Sequence, residues 1–165
     1  MANELSPSAK RIQDALSSLG ASFEVVELPQ STRTAVEAAS AIGCSVEQIA
    51  KSIVFRTKRG KVPILVIASG VNRVNEARIA ALTGEPVEKA DAAYVRERTG
   101  FAIGGIPPVG HIEPIHTIVD EDLLAFSDVW AAAGTPNAVF RLDPKGLVAI
   151  RPGPGPCEVR GPLTT

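Results

Sequence analysis

The segment Gly100–His111 combines residue types that can present bare main chain to a small polar group. It holds four glycines and two adjacent prolines within twelve residues. Glycine lets a ligand approach the backbone closely, whereas proline fixes φ and removes a hydrogen-bond donor. This composition excludes a regular helix and predicts a stiff loop with exposed backbone N–H and C=O groups. A plain turn between two elements is the alternative, because glycine and proline are also the commonest turn residues.

Lys51 is the second candidate for chemistry, because it opens an apolar run rich in β-branched residues. In a strand, Lys51, Ile53 and Phe55 share one face, and the two apolar neighbours indicate that this face points inward. A partly desolvated ammonium there could hold a phosphate, polarise a carbonyl or lose its proton more readily than in water. The alternative is that Lys51 ends a short helix from Ser45, where a cation suits the helix dipole.

The chain has two histidines and two cysteines, and their spacing is not that of metal ligands. We therefore predict no metal and no cofactor. His111 ends the glycine loop and is the better functional candidate, whereas His116 lies in an apolar run and is interpreted as structural. Cys44 precedes a predicted helix, so Cys44 and His111 are a hypothetical nucleophile and base, with a small semi-buried cysteine as the alternative. The sequence contains no Gly-x-Ser-x-Gly elbow, dinucleotide fingerprint or P-loop.

The totals indicate one domain over residues 1–165, with a Pro/Gly-rich tail at 151–165. Apolar residues make up 45 % of the chain but aromatic residues only 4 %, so the core must be built from Ala, Val, Ile and Leu. A net charge of −1 argues against broad nucleic-acid binding, though not against contact with one RNA end. The absence of a signal peptide, a membrane-length apolar run and a cysteine framework predicts a cytoplasmic protein with no membrane partner.

The elements that must position these residues are short, and helix signals alternate with strand signals. Capping residues and helix-initiating patterns predict helices that begin near Ser6, Thr34, Ser45, Asn75, Asp91, Asp120 and Asp143. Strands are predicted over 22–28, 52–57, 62–68, 116–119, 129–133 and 138–142. The second and third strands form a hairpin, and the third is apolar on both faces and therefore central. We predict an α/β fold of the α+β type, with a mixed, largely antiparallel sheet surrounded by helices.

A basic cluster lies around the predicted hairpin. Most such clusters are solvated surface, but this one flanks the proposed lysine and could hold a phosphodiester backbone by charge alone. Its members are Lys51, Arg56, Lys58, Arg59 and Lys61.

Two segments together resemble the YbaK/EbsC family, which is similar to the editing domain inserted in bacterial prolyl-tRNA synthetases. They are the AKSIVF sequence of residues 50–55 and the GGIPPVG sequence of residues 104–110. The order of the flanking helices and strands agrees as well, from the first helix to about Asp143. The resemblance implies a free-standing aminoacyl-tRNA deacylase, which hydrolyses the ester between a wrong amino acid and the terminal adenosine of a tRNA.

The resemblance also implies roles for individual residues. Lys51 would orient the substrate through a nucleotide phosphate, and the loop from Gly104 to Pro108 would hold the aminoacyl group with its backbone. A ribose hydroxyl of the tRNA would assist the attacking water, so the protein need only position the substrate and stabilise charge. The other residues expected at the substrate are Thr34, Gly105, Ile106, Pro107, His111 and Gly134.

Pro107 departs from the family members that act on cysteinyl-tRNA, which carry serine there, and those members lack a histidine at position 111. The resemblance therefore leaves the amino acid open beyond a small one. The expected partners are the acceptor end of a mischarged tRNA and, as a further candidate, an aminoacyl-tRNA synthetase; the chain is a monomer or a homodimer. Two other hypotheses remain: a non-catalytic module that binds a tRNA end, a nucleotide or a synthetase, and a thiol hydrolase that uses Cys44.

Overall fold

A computed structural model describes residues 5–18, 23–113, 115–149 and 159. The strands are β1 (Val25–Glu27), β2 (Ile49–Thr57), β3 (Pro63–Ser69), β4 (Val87–Lys89), β5 (His116–Val119), β6 (Val129–Ala132) and β7 (Ala138–Leu142). The helices are α1 (Pro7–Ser18), α2 (Ala35–Ile42), α3 (Glu76–Thr83), α4 (Ala92–Thr99) and α5 (Pro144–Ala149), with 3₁₀ turns at Val46–Gln48 and Glu121–Ala125. None of the described helices is long and apolar enough to cross a membrane.

The strands form one sheet in the order β1-β7-β6-β2-β3-β5, and β4 pairs with β2. The pairs β2–β6 and β3–β5 are parallel, and the other pairs are antiparallel. This confirms the predicted mixed, largely antiparallel sheet. Strand β3 is buried along its whole length, as its apolar sequence on both faces predicts.

The core lies on both faces of the sheet, because side chains alternate along each strand. On β3, Leu65 and Ile67 belong to the larger cluster, which also contains Ile12 and Leu16 of α1. Ile64 and Val66 belong to the second cluster, together with Phe55. The central strands are thus held from both sides, which fixes the position of residues on β2.

Strand β2 leaves part of one edge open. Strand β3 pairs with one edge from Ala50 to Arg56. On the other edge, β6 pairs only at Ile49 and Ala50, and β4 only from Phe55 to Thr57. Between them, no described strand pairs with residues 51–54, although the Ala90 N–H donates to the Val54 carbonyl at 3.1 Å. This gap in the sheet is where a ligand can approach β2 from the side.

The helix boundaries follow the predicted caps. Thr34 accepts from the Glu37 N–H, and the Glu37 side chain accepts in return from the Thr34 N–H, which completes a capping box. Asn75 and Asp91 cap α3 and α4 without a capping box, because only their side-chain oxygens accept a backbone N–H of the helix. The helices α2, α3 and α4 each end at a glycine in the left-handed region.

Two local predictions were wrong. The Ser45 capping box opens a three-residue 3₁₀ turn rather than a helix that reaches Lys51, because the chain enters β2 at Ile49. Strand β4 was missed, since Val87–Lys89 is short and becomes a strand only by pairing with the end of β2. The predicted Pro/Gly-rich tail at 151–165 lies outside the described residues apart from Val159, which is buried in the second cluster and whose carbonyl accepts from the Asn75 N–H.

Candidate functional site

A cavity of about 210 Å³ opens at the unpaired edge of β2. Its wall is mostly small or aliphatic, and its polar members come from the segment before α2 and from β2. The aliphatic members are Ala35, Ala38, Ile49, Ala50, Ile53, Ile103, Ile106, Ala131, Ala132 and Val139. The others are Thr32, Arg33, Thr34, Lys51, Ser52, Gly104 and Trp130.

A second cavity of about 230 Å³ adjoins the first along β2. The two cavities share four wall residues, Ser52, Ile53, Ile103 and Ile106, which mark their junction. Lys89 of β4 lies at the second cavity, so the pair of cavities has three cationic side chains, Arg33, Lys51 and Lys89. No Asp or Glu is among the described wall residues of either cavity. The combined groove therefore favours an anionic ligand with a small apolar group.

Lys51 is half-buried at the first cavity, and its Nζ donates to the Gly70 carbonyl oxygen at 3.2 Å. Burial lowers the pKa of Lys51 from its ordinary value, the nearby Lys89 lowers it further, and the carboxylate of Asp120 opposes both. An ammonium has three donors, and Gly70 is its one hydrogen-bond acceptor within the described residues. The remaining donors are available to an incoming anion, which would also restore favourable electrostatics to this partly desolvated cation.

The glycine loop is fastened to the turn between β6 and β7. The Gly134 N–H donates to the Gly105 carbonyl at 2.9 Å. A Cβ on Gly105 would lie 2.9 Å from the carbonyl carbon of Thr135, and backbone cannot move aside cheaply. Glycine at position 105 therefore allows a main-chain approach that no other residue permits. Gly105 and Gly134 hold the loop in place from behind the cavity wall.

The same turn fastens the segment before α2. The N–H and hydroxyl of Thr32 both donate to the Pro136 carbonyl, at 2.6 and 2.9 Å. Arg33 follows with an exposed side chain, and its Cγ would lie 2.5 Å from a Cβ placed on Gly104. The stem of Arg33 thus crosses directly over Gly104, so that two walls of the cavity are braced against each other and against one turn.

His111 stabilises the loop from outside the cavity. Its Nε2 lies 2.7 Å from the Pro107 carbonyl oxygen. Because that carbonyl can only accept, the neutral imidazole must carry its proton on Nε2. Burial lowers the pKa of His111, the hydrogen bond to Pro107 acts in the opposite direction, and Arg11 lowers it further. The neutral His111 side chain therefore links the end of the glycine loop to Pro107 by a hydrogen bond.

The structure brings part of the predicted site together. The predicted residues that line the first cavity are Thr34, Lys51, Gly104 and Ile106. The remaining predicted residues lie outside the described wall, and their contact with a substrate stays a prediction; they are Gly105, Pro107, Pro108, His111 and Gly134. Sequence reasoning missed Arg33, Ser52, Lys89, Ile103 and Trp130. Two of these residues had a signal in the sequence: Arg33 directly precedes the predicted Thr34 cap, and Ser52 directly follows Lys51.

The basic cluster around the hairpin is partly neutralised. Arg56 forms an ion pair with Glu88 at 2.7 Å, and Lys61 approaches the same carboxylate oxygen at 3.3 Å. The Arg56 guanidinium also lies 5.3 Å from the ring centre of Tyr94. These contacts engage two of the five charges in the fold itself, which weakens the interpretation of the cluster as a phosphodiester-binding surface.

Cys44 does not have the surroundings of a nucleophile. It packs against the small cluster formed by Ala38, Ala39 and Ile49. Burial raises the pKa of the Cys44 thiol, and the carboxylate of Asp128 raises it further against a backbone hydrogen bond. A raised pKa disfavours the reactive thiolate, which argues against activation of Cys44 by the following helix start. Within the described part of the chain, no group of three or more His, Cys, Asp or Glu residues could hold a metal ion.

Comparison with known proteins identifies the family. Residues 29–150 match the sequence profile of the aminoacyl-tRNA editing domain. The protein YwhH of Bacillus subtilis strain 168 is 33 % identical over 124 residues, which cover 75 % of this chain and 78 % of YwhH. A proline–tRNA ligase of Xanthomonas campestris pv. campestris strain 8004 is 31 % identical over 121 residues, which cover 73 % of this chain but only 20 % of the ligase.

A solved structure agrees in fold as well as in sequence. The structure of a candidate trans-editing enzyme for prolyl tRNA synthetase superposes with a TM-score of 0.87 at 48 % identity, over 96 % of this chain and 99 % of that one. The family resemblance that residues 50–55 and 104–110 predicted is thereby confirmed. The chain belongs to the aminoacyl-tRNA editing domain family.

Proposed function

We propose that this protein is a trans-editing deacylase, which hydrolyses the ester that joins a small amino acid to the 3′ end of a mischarged tRNA. The observation that carries the proposal is the half-buried Lys51 beside a small, largely aliphatic cavity at the open edge of β2, whose described wall contains no Asp or Glu. Membership in the aminoacyl-tRNA editing domain family supports the reaction class. The site supports the choice of substrate.

The size and chemistry of the first cavity support a small aminoacyl group. Its volume of about 210 Å³ is below the roughly 300–1,000 Å³ of pockets that hold drug-sized ligands. Alanine residues from α2, β2 and β6 form much of the wall, and no aromatic ring other than Trp130 contributes among the described residues. An alanyl, seryl or cysteinyl group fits these surroundings better than an aromatic or charged one.

The three cations support an RNA end as the attached group. Lys51 would contact the phosphate of the terminal nucleotide, and Arg33 and Lys89 would contact the backbone on either side. Charge contacts of this kind fix the position of a strand without reading its sequence. They also fit a protein of net charge −1, because three cations and no Asp or Glu among the described wall residues make this groove locally positive.

The reaction would depend on positioning rather than on a catalytic triad. No His, Cys, Asp or Glu is among the described wall residues of the first cavity. In the proposed mechanism the substrate's own ribose hydroxyl assists the water that attacks the ester carbonyl carbon. Backbone N–H groups around Gly104 stabilise the negative charge that develops on the carbonyl oxygen of the ester. Lys51 holds the phosphate so that the ester lies against this loop.

The absence of His, Cys, Asp and Glu from the described wall also fits a second function, in which the same groove binds a tRNA end without hydrolysis. A deacylation assay separates the two. Proline tRNA charged with alanine, serine, cysteine or proline is incubated with the protein, and the released amino acid is measured. The proposal predicts release of one small amino acid well above the spontaneous rate, with prolyl-tRNA spared. If the protein binds these tRNAs but releases no amino acid from any of them, the deacylase is refuted and a non-catalytic tRNA-binding module is supported.

A further inference from the structure

Ser52 is the residue at the junction of the two cavities. It follows Lys51 on β2 and therefore points to the opposite face of the sheet. Its cross-strand partner is Ile67, a fully buried member of the larger core cluster. Ser52 contributes to the walls of both cavities together with Ile103 and Ile106 of the glycine loop. A polar residue thus stands in an apolar wall where a strand and a loop face each other.

The Ser52 hydroxyl is buried and has no hydrogen-bond partner among the described residues. Such a group is unfavourable in a folded protein, because it has lost water without gaining a partner. Ser69 on the adjacent strand shows the usual arrangement, since its hydroxyl donates to the Glu47 carbonyl at 2.8 Å. An unpaired hydroxyl at the wall of a cavity is explained when a ligand supplies the missing partner.

The other hydroxyls of the first cavity are already engaged. Thr34 accepts from the Glu37 N–H and lies 3.2 Å from the Glu37 carboxylate. Thr32 donates to the Pro136 carbonyl. The described walls contain no carboxylate, so an amino group that enters the cavity finds no acidic side chain. Both threonine hydroxyls keep acceptor lone pairs but are held by hydrogen bonds to their own surroundings, whereas the Ser52 hydroxyl has no partner among the described residues and is the better acceptor for this amino group.

We propose that Ser52 is a substrate-binding residue whose hydroxyl accepts a hydrogen bond from the α-amino group of the bound aminoacyl ester. This inference rests on the proposed function. The α-amino group then lies at the junction of the two cavities. The side chain of the bound amino acid lies in the first cavity, and the nucleoside is directed toward Lys89 in the second. Since the hydroxyl is closed to solvent in the free protein, this role requires the wall formed by Ile103 and Ile106 to shift when the substrate enters; Ile103 is 48 % exposed, whereas Ile106 is buried.

The test uses two stable amide analogues of the substrate end, alanylamino-deoxyadenosine and propanoylamino-deoxyadenosine, which differ only in the α-amino group. Trp130, the single tryptophan, lines the first cavity and reports binding by its fluorescence. The wild type should bind the alanyl analogue roughly tenfold more tightly, the equivalent of one good hydrogen bond. Ser52→Ala should lose this preference, and Ser52→Thr, which keeps the hydroxyl, should retain most of it.

Thermal unfolding gives a second readout that a structural serine would not produce. Ser52→Ala removes an unpaired buried hydroxyl, so the midpoint should rise by roughly 2–4 °C. Ser69→Ala breaks a made hydrogen bond, and its midpoint should fall. A fall in Ser52→Ala similar to that in Ser69→Ala would show that the hydroxyl has a partner within the fold and would overturn the inference.

The outcomes separate this inference from the proposed function. If the wild type deacylates tRNA but Ser52→Ala keeps the preference for the alanyl analogue, or if neither analogue binds, the role of Ser52 is refuted while the deacylase stands. If no mischarged tRNA is hydrolysed but the preference is present and depends on Ser52, the deacylase is refuted while the amine-binding role stands.

Discussion

Gly104 offers a sharp test of the site, because two features there exclude a side chain. Its φ is +97°, a conformation that L-residues rarely adopt. A Cβ would also lie 2.5 Å from Cγ of Arg33, near the root of that side chain. Gly84 is a matched control: its φ is +87°, nothing lies within 4 Å of an added Cβ, and it ends α3 away from both cavities. The two alanine variants share the backbone cost and differ in the collision.

The backbone term is about 1–2 kcal/mol for an L-residue in the left-handed region. Both variants should therefore unfold about 2–8 °C below the wild type, given about 2–4 °C per kcal/mol for a chain of this size. In Gly104→Ala the collision adds to this loss, because Cγ lies near the root of the Arg33 side chain and cannot give way as a flexible end would. Relief of the collision displaces the loop or the arginine from the cavity mouth. A misplacement near 1 Å costs as much as about 100-fold in rate, so kcat/KM should fall about 10- to 100-fold.

The assay is deacylation of the preferred mischarged tRNA under single-turnover conditions, with urea unfolding on the same samples. Gly84→Ala should keep the wild-type rate despite its lower stability. If Gly104→Ala keeps the wild-type rate while it loses at least as much stability as Gly84→Ala, the loop at Gly104 does not contact the reacting group, and the placement of the ester in the first cavity is refuted.

Three further predictions concern charge. Lys89→Ala should weaken tRNA binding and reduce the magnitude of the slope of log binding constant against log salt concentration by about 0.7, the value for one phosphate of a single strand. The control Lys145→Ala, at an exposed lysine, should leave the affinity and the slope unchanged. An unaltered slope in Lys89→Ala would show that Lys89 does not contact the RNA. Burial makes the pKa of Lys51 lower in the folded than in the unfolded state, so the unfolded state binds more protons at alkaline pH. Urea unfolding should therefore show the wild type gaining stability relative to Lys51→Met as pH rises toward 10.5. A difference in stability that does not change with pH would contradict the burial of the ammonium. The folded pKa of His111 is also lowered, so wild-type stability should fall below pH 6.5 more steeply than that of His111→Gln, and equal slopes would show that the imidazole is solvated.

Much of the fold follows from local signals in the sequence. The caps at Thr34, Asn75 and Asp91 fixed three helix starts, because each side chain satisfies a backbone donor that the helix leaves open. Strand β3 was recognised from its continuous apolar sequence. Strand β4 could not be, since two of its three residues are charged and its strand geometry comes only from pairing with β2.

The residues of the site could be predicted only where they stand within a recognisable sequence motif. Lys51 and Gly104 stand in the two segments that carry the family resemblance. Arg33, Ser52 and Lys89 belong to the same groove, but they come from three separate segments that only the tertiary fold assembles. Ser52 illustrates the limit: its position was visible in the sequence, but the absence of a partner for its hydroxyl emerges only when the strand is packed.

The most direct test of the central claim is the single-turnover deacylation rate of Lys51→Ala beside that of Lys145→Ala, on the tRNA that the wild type hydrolyses fastest. Both variants remove one lysine, but only Lys51 lines the first cavity. The account predicts that Lys51→Ala falls to the spontaneous rate while Lys145→Ala matches the wild type, with both proteins folded by circular dichroism. A Lys51→Ala protein that deacylates at the wild-type rate would contradict it.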